Sequence, residues 1–526
     1  MTTSTVINQP YSTSGNGGRK LVRLANGWLV IGVKVIGTGI SRIYFYKSED
    51  DGKTWTYIRN YGWDTSNVNS LDVSLVAVGN LVYFMITRYG AVSNFFRIFN
   101  PSTGNYIESP TDIDRMGSGD FGNGSLVLNP QKTEIHATWS YKGISSPNSF
   151  NIKYAKGTIN GDGSVTWSAP EQVTTINDST MHYFINPSIN IVNNIPCISF
   201  EGQGKTLISS VGNSSRRGIY FAKRDKSLTG ISYLHSSWSG SVVAENTLSH
   251  IQSSPSAVVD NDGVIANVWH GKDSTHSTID YIRFSKSIDG GVTWSAMQKL
   301  VVGNNGTLTV DKDNKYVIQY EDSGIIKQII STNKGDTWSS PVNIGTGTNP
   351  NSLYDNAFVG KFGYSAPSIF MTSSSVMYSG EYIVNKAPTI IAKDANNETI
   401  LAYSQKTIPK DTSFTVRIIG DDEDVEDAIS WSISIENGRI ADFGEIPITK
   451  GQEFEYTISH SDDLLAFGQN RVDIAIKDSK GDITVLPFYI EVNPNLPIGS
   501  SCLANMKFNG YNKSTLSLAE LVNHLT

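Results

Sequence analysis

The sequence predicts an all-β fold in two parts, and three observations carry that prediction. The composition favours turns and strands, with 47 Gly, 24 Tyr and 10 Trp but only 17 % charged residues. Strands take aromatic and β-branched side chains, and turns take Gly, Asn and Asp. A short motif recurs within the first 385 residues, the mark of a repeat architecture. Near Lys386 both strand rhythm and charge change: residues 386–526 hold 12 Lys+Arg and 21 Asp+Glu, whereas residues 1–385 hold 30 and 28. A chain of 526 residues also exceeds what one hydrophobic core supports. At 39 % hydrophobic residues it can bury cores, which excludes a disordered polymer. The glycine load argues against a helix bundle.

The motif reads S-x-(D/N)-x-G-x-T-W. Its copies run from Ser48 through Asp50 and Gly52 to Trp55, from Ser287 through Asp289 and Gly291 to Trp294, and from Ser331 through Asn333 and Gly335 to Trp338. Each follows a short strand (IYFYK, YIRFSK, KQIIS), and a degenerate copy spans Asn160 to Trp167. An Asp or Asn accepts backbone N–H bonds across a tight turn, Gly supplies a positive φ, and Trp packs beside the next strand. These are turn-building residues, and no catalytic role is expected of them. The pattern resembles the Asp-box, or bacterial neuraminidase repeat, of sialidase-like β-propellers, the kind also found in phage tail and prophage proteins.

That resemblance implies blades of four antiparallel strands. Blade 1 starts at KLVRLANGWLVIGVKV and blade 2 at LDVSLVAVGNLVYFMITRYG. Blade 3 holds GSLVLN and EIHATWSYKG, and blade 4 NPSINIVNNIPCISFEGQG. Blade 5 holds SPSAVVDNDGVIANVWHGKD, blade 6 GTLTVDKDNKYVIQYEDSG, and a shorter set from LYDNAFVGKF to MYSGEYIV ends the series. Seven blades of roughly 55 residues fit residues 1–385, with six as the alternative. The last set is one strand short, and the N-terminal TSTVIN is the segment that would complete it and close the ring. Residues 386–495 then read as an Ig-like or cadherin-like β-sandwich, from SFTVRII, ISWSISIE, EFEYTIS, RVDIAIKD and ITVLPFYIEV. Residues 496–526 form a tail in which STLSLAELVNHLT has the spacing of a short amphipathic helix.

Propeller topology sorts the functional candidates. The start of each first strand and the end of each second strand share one face, opposite the Asp-box turns. The second strands end at Arg88, Tyr141, Glu201, His270 and Glu321; Arg19, Asp120, His182, Tyr183, His250 and Gln252 precede or open first strands. Carboxylates, imidazoles, phenols and guanidinium groups around one axis suit sugar hydroxyls and acidic groups, and can move protons. Glu201, Glu321, His182, His270 and Tyr141 are the catalytic candidates. Arg19, Arg88, Asp120, Tyr183, His250 and Gln252 are the ligand-binding ones. No HxH or HExxH spacing points to a metal on the histidines. The one candidate cation site is calcium in the sandwich, at Asp421, Asp422 and Asp424, where carboxylates crowd together. No other cofactor is expected.

Sialidases hold the substrate carboxylate with an arginine triad whose first member lies in an R-I-P motif. Here the matching stretch is Gly17-Gly18-Arg19-Lys20-Leu21; R-I-P is absent and Arg19 is displaced by two places, so exosialidase activity is not expected. The resemblance implies a carbohydrate-recognition, receptor-binding protein of a phage or prophage tail, contacting a host-surface polysaccharide or wall glycan and other tail proteins of the virion. The alternative is a polysaccharide lyase or glycoside hydrolase, a depolymerase, on the same propeller. Neither part of the chain is basic enough for a nucleic-acid partner. No run reaches the roughly 18 apolar residues of a membrane span. The start MTTSTVINQP lacks secretory-signal character, so synthesis in the bacterial cytoplasm and release in the virion are expected.

Overall fold

The computed structural model describes residues 3–494 except 16, 38–39, 64–70, 89–92, 108–110, 116–118, 144–148, 177–181, 206–211, 230, 232–233, 245–250, 355–359, 385–387, 423–427, 437–445, 460–464 and 479–482. Its described secondary structure is all strand. The chain divides into two compact units, Met1–Val384 and Asn385–Thr526. The expected tail helix, within 496–526, lies outside the described residues.

The first unit is a seven-bladed propeller. Blades 1 to 6 occupy residues 21–63, 71–115, 119–172, 182–244, 252–302 and 304–346, each an antiparallel meander counted outward from its first strand. In blade 7 the first three strands are Thr348–Ser352, Ser368–Met371 and Val376–Ser379, and the outermost is Thr3–Ile7 from the chain start. The N-terminal strand thus closes the ring, with Val6 and Ile7 buried against Leu29, Ile31 and Tyr378. Blade faces alternate with strand period two. Leu29, Ile31 and Val33 face blade 7, whereas Val30, Ile43 and Phe45 pack on blade 2. Each of the seven interfaces holds its own hydrophobic cluster.

The Asp boxes pin these interfaces at the periphery. In the second box, Ser287 Oγ donates to Asp289 Oδ1 and accepts the Gly291 N–H, both at 2.8 Å, while Asp289 accepts the Thr293 N–H at 2.9 Å. The first and third boxes repeat the pattern through Ser48, Asp50, Gly52 and through Ser331, Asn333, Gly335. Every box leans on an aromatic ring of the preceding blade. Trp55 meets Tyr378 at 5.5 Å, Trp294 meets Phe221 at 5.4 Å, Trp338 meets Phe284 at 5.2 Å, and the degenerate copy sets Trp167 on Phe96 at 4.9 Å. Glycine is required at the contact: Gly291 has φ 92°, and a Cβ there would lie 2.2 Å from the Phe221 ring.

Around the axis the first strands have a free inner edge whose N–H groups lack a strand partner, except at the start of blade 4, where His182 and Tyr183 pair in parallel with Ser149 and Phe150 of blade 3. A belt of hydrogen bonds solves this. Backbone N–H groups of Leu126, Ile189, Ala257, Leu308, Ser352 and Lys20 donate to Ser74, Ser125, Ser188, Ser256, Thr307 and Asn351 of the preceding blades, at 2.8–3.3 Å. Leu75 N–H donates to the Arg19 carbonyl at 2.7 Å and completes the circle.

The second unit is a β-sandwich. A three-stranded sheet (Thr389–Asp394, Ser413–Asp421, Glu453–Ser459) faces a five-stranded one that includes Ile429–Glu436, Gly468–Asp478 and Ile483–Asn493. Val416, Ile418, Trp431, Ile433, Ile474 and Ile490 point inward at alternate positions and form its core. Gln405–Pro409 pairs in parallel with the last strand.

Candidate functional site

Where the first strands of blades 3 to 7 meet the open end of the axis, each carries a bulge. Register breaks fall at Phe121/Gly124, Ile185/Ser188, Ser253/Ser256, Asn304/Thr307 and Thr348/Asn351. In blades 4 to 7 the bulged residue is left-handed: Asn186, Ser254, Asn305 and Asn349 have φ of 54°, 56°, 49° and 53°. Asn and Ser tolerate this conformation, and the following Pro187, Pro255, Gly306 or Pro350 suits a place without a ladder N–H. The bulge turns the short polar side chain toward the axis. Ser14, Gly15, Gly17, Lys34, Asn123, Asn186, Ser254, Asn305 and Asn349 together line a polar cavity of ≈ 200 Å³.

The ends of the second strands brace this ring. Glu201, 1 % exposed, accepts the Ser254 N–H at 3.1 Å, Asn186 Nδ2 at 3.0 Å and Arg217 at 2.9 Å. His270 Nδ1 accepts the Asn305 N–H at 3.3 Å. Glu321 accepts the Asn349 N–H and Asn305 Nδ2, both at 3.3 Å. One residue in each of blades 4, 5 and 6 therefore holds the bulge of the next blade. Asn305 also donates to Asn349 Oδ1 at 3.2 Å, and Asn123 donates to Asn186. In blade 1, Lys34 stands 3.5 Å from Asp72 of blade 2. Burial pushes the His270 pKa below the ordinary imidazole value, against the pull of Asp280, so the ring stays neutral with Nδ1 as acceptor.

The remaining candidates divide between rim, packing and axis. Tyr141 is corrected from an axial role: it belongs to the hydrophobic cluster between blades 2 and 3. Its hydroxyl accepts from Gln172 and its ring lies under the Lys153 ammonium at 4.3 Å. Its neighbour Ser140 faces the bulge instead, within 3.5 Å of the Asn123 carbonyl. Arg19 is corrected from ligand contact to a plug. It crosses the axis to Thr307 Oγ1, Leu308 O and Ala257 O at 3.2, 2.9 and 3.3 Å, with Tyr354 5.2 Å away. Its complete burial lowers its pKa to about 10. Gln252 is likewise internal, accepting from Trp269 Nε1 at 2.8 Å and donating to the Lys272 carbonyl.

Asp120 lies at the rim 4.0 Å from Lys142, and Tyr183 stacks on Phe150 at 6.0 Å. Arg88 ends the second strand of blade 2 beside Tyr61, where burial lowers its pKa. His182 begins the first strand of blade 4, while His250 lies outside the described residues. Asp424 also lies outside them; Asp421 Oδ1 accepts the Asp422 N–H at 2.8 Å. Among the described residues, no group of three or more His, Cys, Asp or Glu side chains is arranged to hold a metal.

Sequence reasoning missed the ring itself. Its signal is an N/S-P/G-S/T/N triplet opening five first strands: Asn123-Gly124-Ser125, Asn186-Pro187-Ser188, Ser254-Pro255-Ser256, Asn305-Gly306-Thr307 and Asn349-Pro350-Asn351. The first position lines the cavity and the third builds the belt.

No family model and no curated protein matches the chain. Among solved structures it is similar to the α-L-arabinanase of Penicillium chrysogenum complexed with arabinobiose (12 % identity, TM-score 0.42, 73 % of this chain and 98 % of that one). It is also similar to the polysaccharide lyase Uly1 (6 % identity, TM-score 0.46, 73 % and 99 %) and the NanB sialidase of Streptococcus pneumoniae (12 % identity, TM-score 0.35, 72 % and 70 %).

Proposed function

We propose that this protein is a glycan-recognition protein whose axial cavity holds a segment of a cell-surface polysaccharide. The observation that carries the reading is the ring of neutral hydrogen-bonding groups. Asn123, Asn186, Ser254, Asn305 and Asn349 line one polar cavity on braced bulges. An amide offers two donors and a carbonyl acceptor, which matches the adjacent hydroxyls of a sugar. Bracing by Glu201, His270 and Glu321 fixes these groups before the ligand arrives, which lowers the ordering cost of binding. The two carboxylates bond to the ring, and this supports holding a glycan over cutting it.

The finer proposal is that the protein rides on a phage or prophage tail, binds host wall glycan there, and contacts other tail proteins. It rests on the resemblance of the Asp boxes to those of phage tail proteins. Incubating full-length protein with purified cell-wall glycans, and measuring both retention and product release, tests the binding reading. Retention without release is expected, and release of oligosaccharides would establish the depolymerase instead. Proteomic analysis of particles induced from the producing strain tests the tail placement, which fails if the chain is absent from purified virions.

A further inference from the structure

The axial cavity carries an uneven charge. Lys20 and Lys34 share a single carboxylate oxygen: Asp72 Oδ1 lies 3.0 Å from the Lys20 ammonium and 3.5 Å from that of Lys34. Lys20 is fully buried and also donates to the Gly15 carbonyl at 2.9 Å. Arg19, a third cation, is buried in the neighbouring stretch of the same strand end. One carboxylate can balance one of the two lysines, which leaves a surplus positive charge at Lys34, the lysine lining the cavity. Across the cavity the balance differs. Glu201 is neutralised by Arg217 at 2.9 Å, His270 is uncharged, and Glu321 makes no ion pair among the described residues. The wall is therefore positive at blade 1, negative at blade 6, and neutral along the amides between.

We propose that the axial cavity selects an acidic glycan, its carboxylate or phosphate seated on Lys34 and its hydroxyls on the ring amides. This rests on the reading of the cavity as a glycan site. An anion at Lys34 forms a charge-assisted hydrogen bond and completes the balance around Asp72. A neutral sugar in the same place displaces the water that solvates the surplus ammonium and returns no counter-charge. Discrimination therefore comes from a desolvated charge, while the amides set orientation.

The test is an array of neutral, uronate-bearing and phosphate-bearing oligosaccharides probed with full-length wild type, Lys34→Met, Lys34→Arg and Asn305→Gly. Glycine keeps the positive φ of Asn305 while removing its amide. Retention on acidic glycans is expected, with the uronate and phosphate arms separating the two acids. Lys34→Met should weaken it about ten- to a hundredfold, the loss of one bond to a charged group, and Lys34→Arg should restore most of it. Wild-type retention should also fall with added salt, a readout that needs no variant. Equal retention of neutral and acidic glycans, insensitive to salt and to Lys34→Met but weakened by Asn305→Gly, overturns the acid selectivity and leaves the glycan site standing. Retention unaffected by either variant, or no retention at all, overturns both.

Discussion

The Asp-box turns and the axial ring occupy opposite ends of the same blades and hold the propeller by different means. Each box is closed within eight consecutive residues: Ser, Asp or Asn and Gly bond to one another, and the Trp and Gly lean on the preceding blade. The ring has no local closure. Ser188 is useful because it accepts the Ala257 N–H on the inner edge of the next blade, and Asn305 is positioned by His270 of the preceding one. The boxes fasten neighbours in pairs, whereas the belt is continuous over all seven blades. Stability should therefore respond to changes at both ends, and ligand binding at the ring alone.

The sharpest way to break this comparison is to open the circle. Removing residues 1–8 deletes the outer strand of blade 7 and exposes the partners of Val6 and Ile7. Loss of two buried aliphatic side chains alone costs about 3–6 kcal/mol. A melting temperature equal to that of the full chain would show that the N-terminal strand does not close the ring. Next in size, Trp294→Ala should cost about 3 kcal/mol, near the lower end for a buried aromatic because the indole is only half-buried. Glycan retention by the protein that remains folded should be unchanged; selective loss of retention at an unaltered melting temperature would put the boxes in the binding site.

Smaller changes sharpen the contrast. Ser188→Ala leaves the Ala257 N–H facing the axis without its acceptor, an expected loss of about 1–3 kcal/mol for a buried unsatisfied group. Denaturant titration should detect it, and an unchanged midpoint would mean that the belt is dispensable. Asp289→Ala should cost about 1 kcal/mol but Asp289→Asn almost nothing, since Asn333 makes the same turn naturally. Recovery no better for Asn than for Ala would show that the charge matters.

Acid should separate the two ends by pH. At the ring, His270 has a lowered pKa, so the stability of its neutral form is present above the ordinary imidazole range and lost as pH falls through the lowered folded value. At the boxes, partial desolvation opposes the hydrogen bonds from Thr54 and Ser48, yet these hold Asp50 down to about 2; the Asp289 pKa is lowered in the same way. Their contribution is present above the ordinary carboxylate range and disappears as pH falls toward about 2. Stability held by the ring should begin to fall below the ordinary imidazole range, and that held by the boxes only below the ordinary carboxylate range. The opposite order in melts of Asp289→Asn and wild type would overturn the division.

The parts legible in the sequence are those whose physics is local. Box turns, alternating strands, the short seventh set and its completion by TSTVIN each depend on a few consecutive residues and on strand period two. The general level of the site was legible as well, because blade topology puts Glu201, His270 and Glu321 at matching strand ends. Tyr141 shows where this reasoning stops. It stands opposite Phe121 in the register that Glu201 has opposite Ile185, so strand topology gives the two the same place. What differs is the side chain: the Tyr141 ring joins Trp139 in the core between blades 2 and 3 and its hydroxyl meets Gln172. Arg19 stops it differently: its partners lie 238 to 289 residues away in blades 5 and 6, beyond any local pattern. By itself the sequence determined which turns and strands form, while the seventh blade was settled by the pairing of Thr3–Ile7 with Val376–Ser379. Only the closed ring decided which polar side chains meet at the axis, because an inner-strand N–H acquires its partner only when the neighbouring blade is in place.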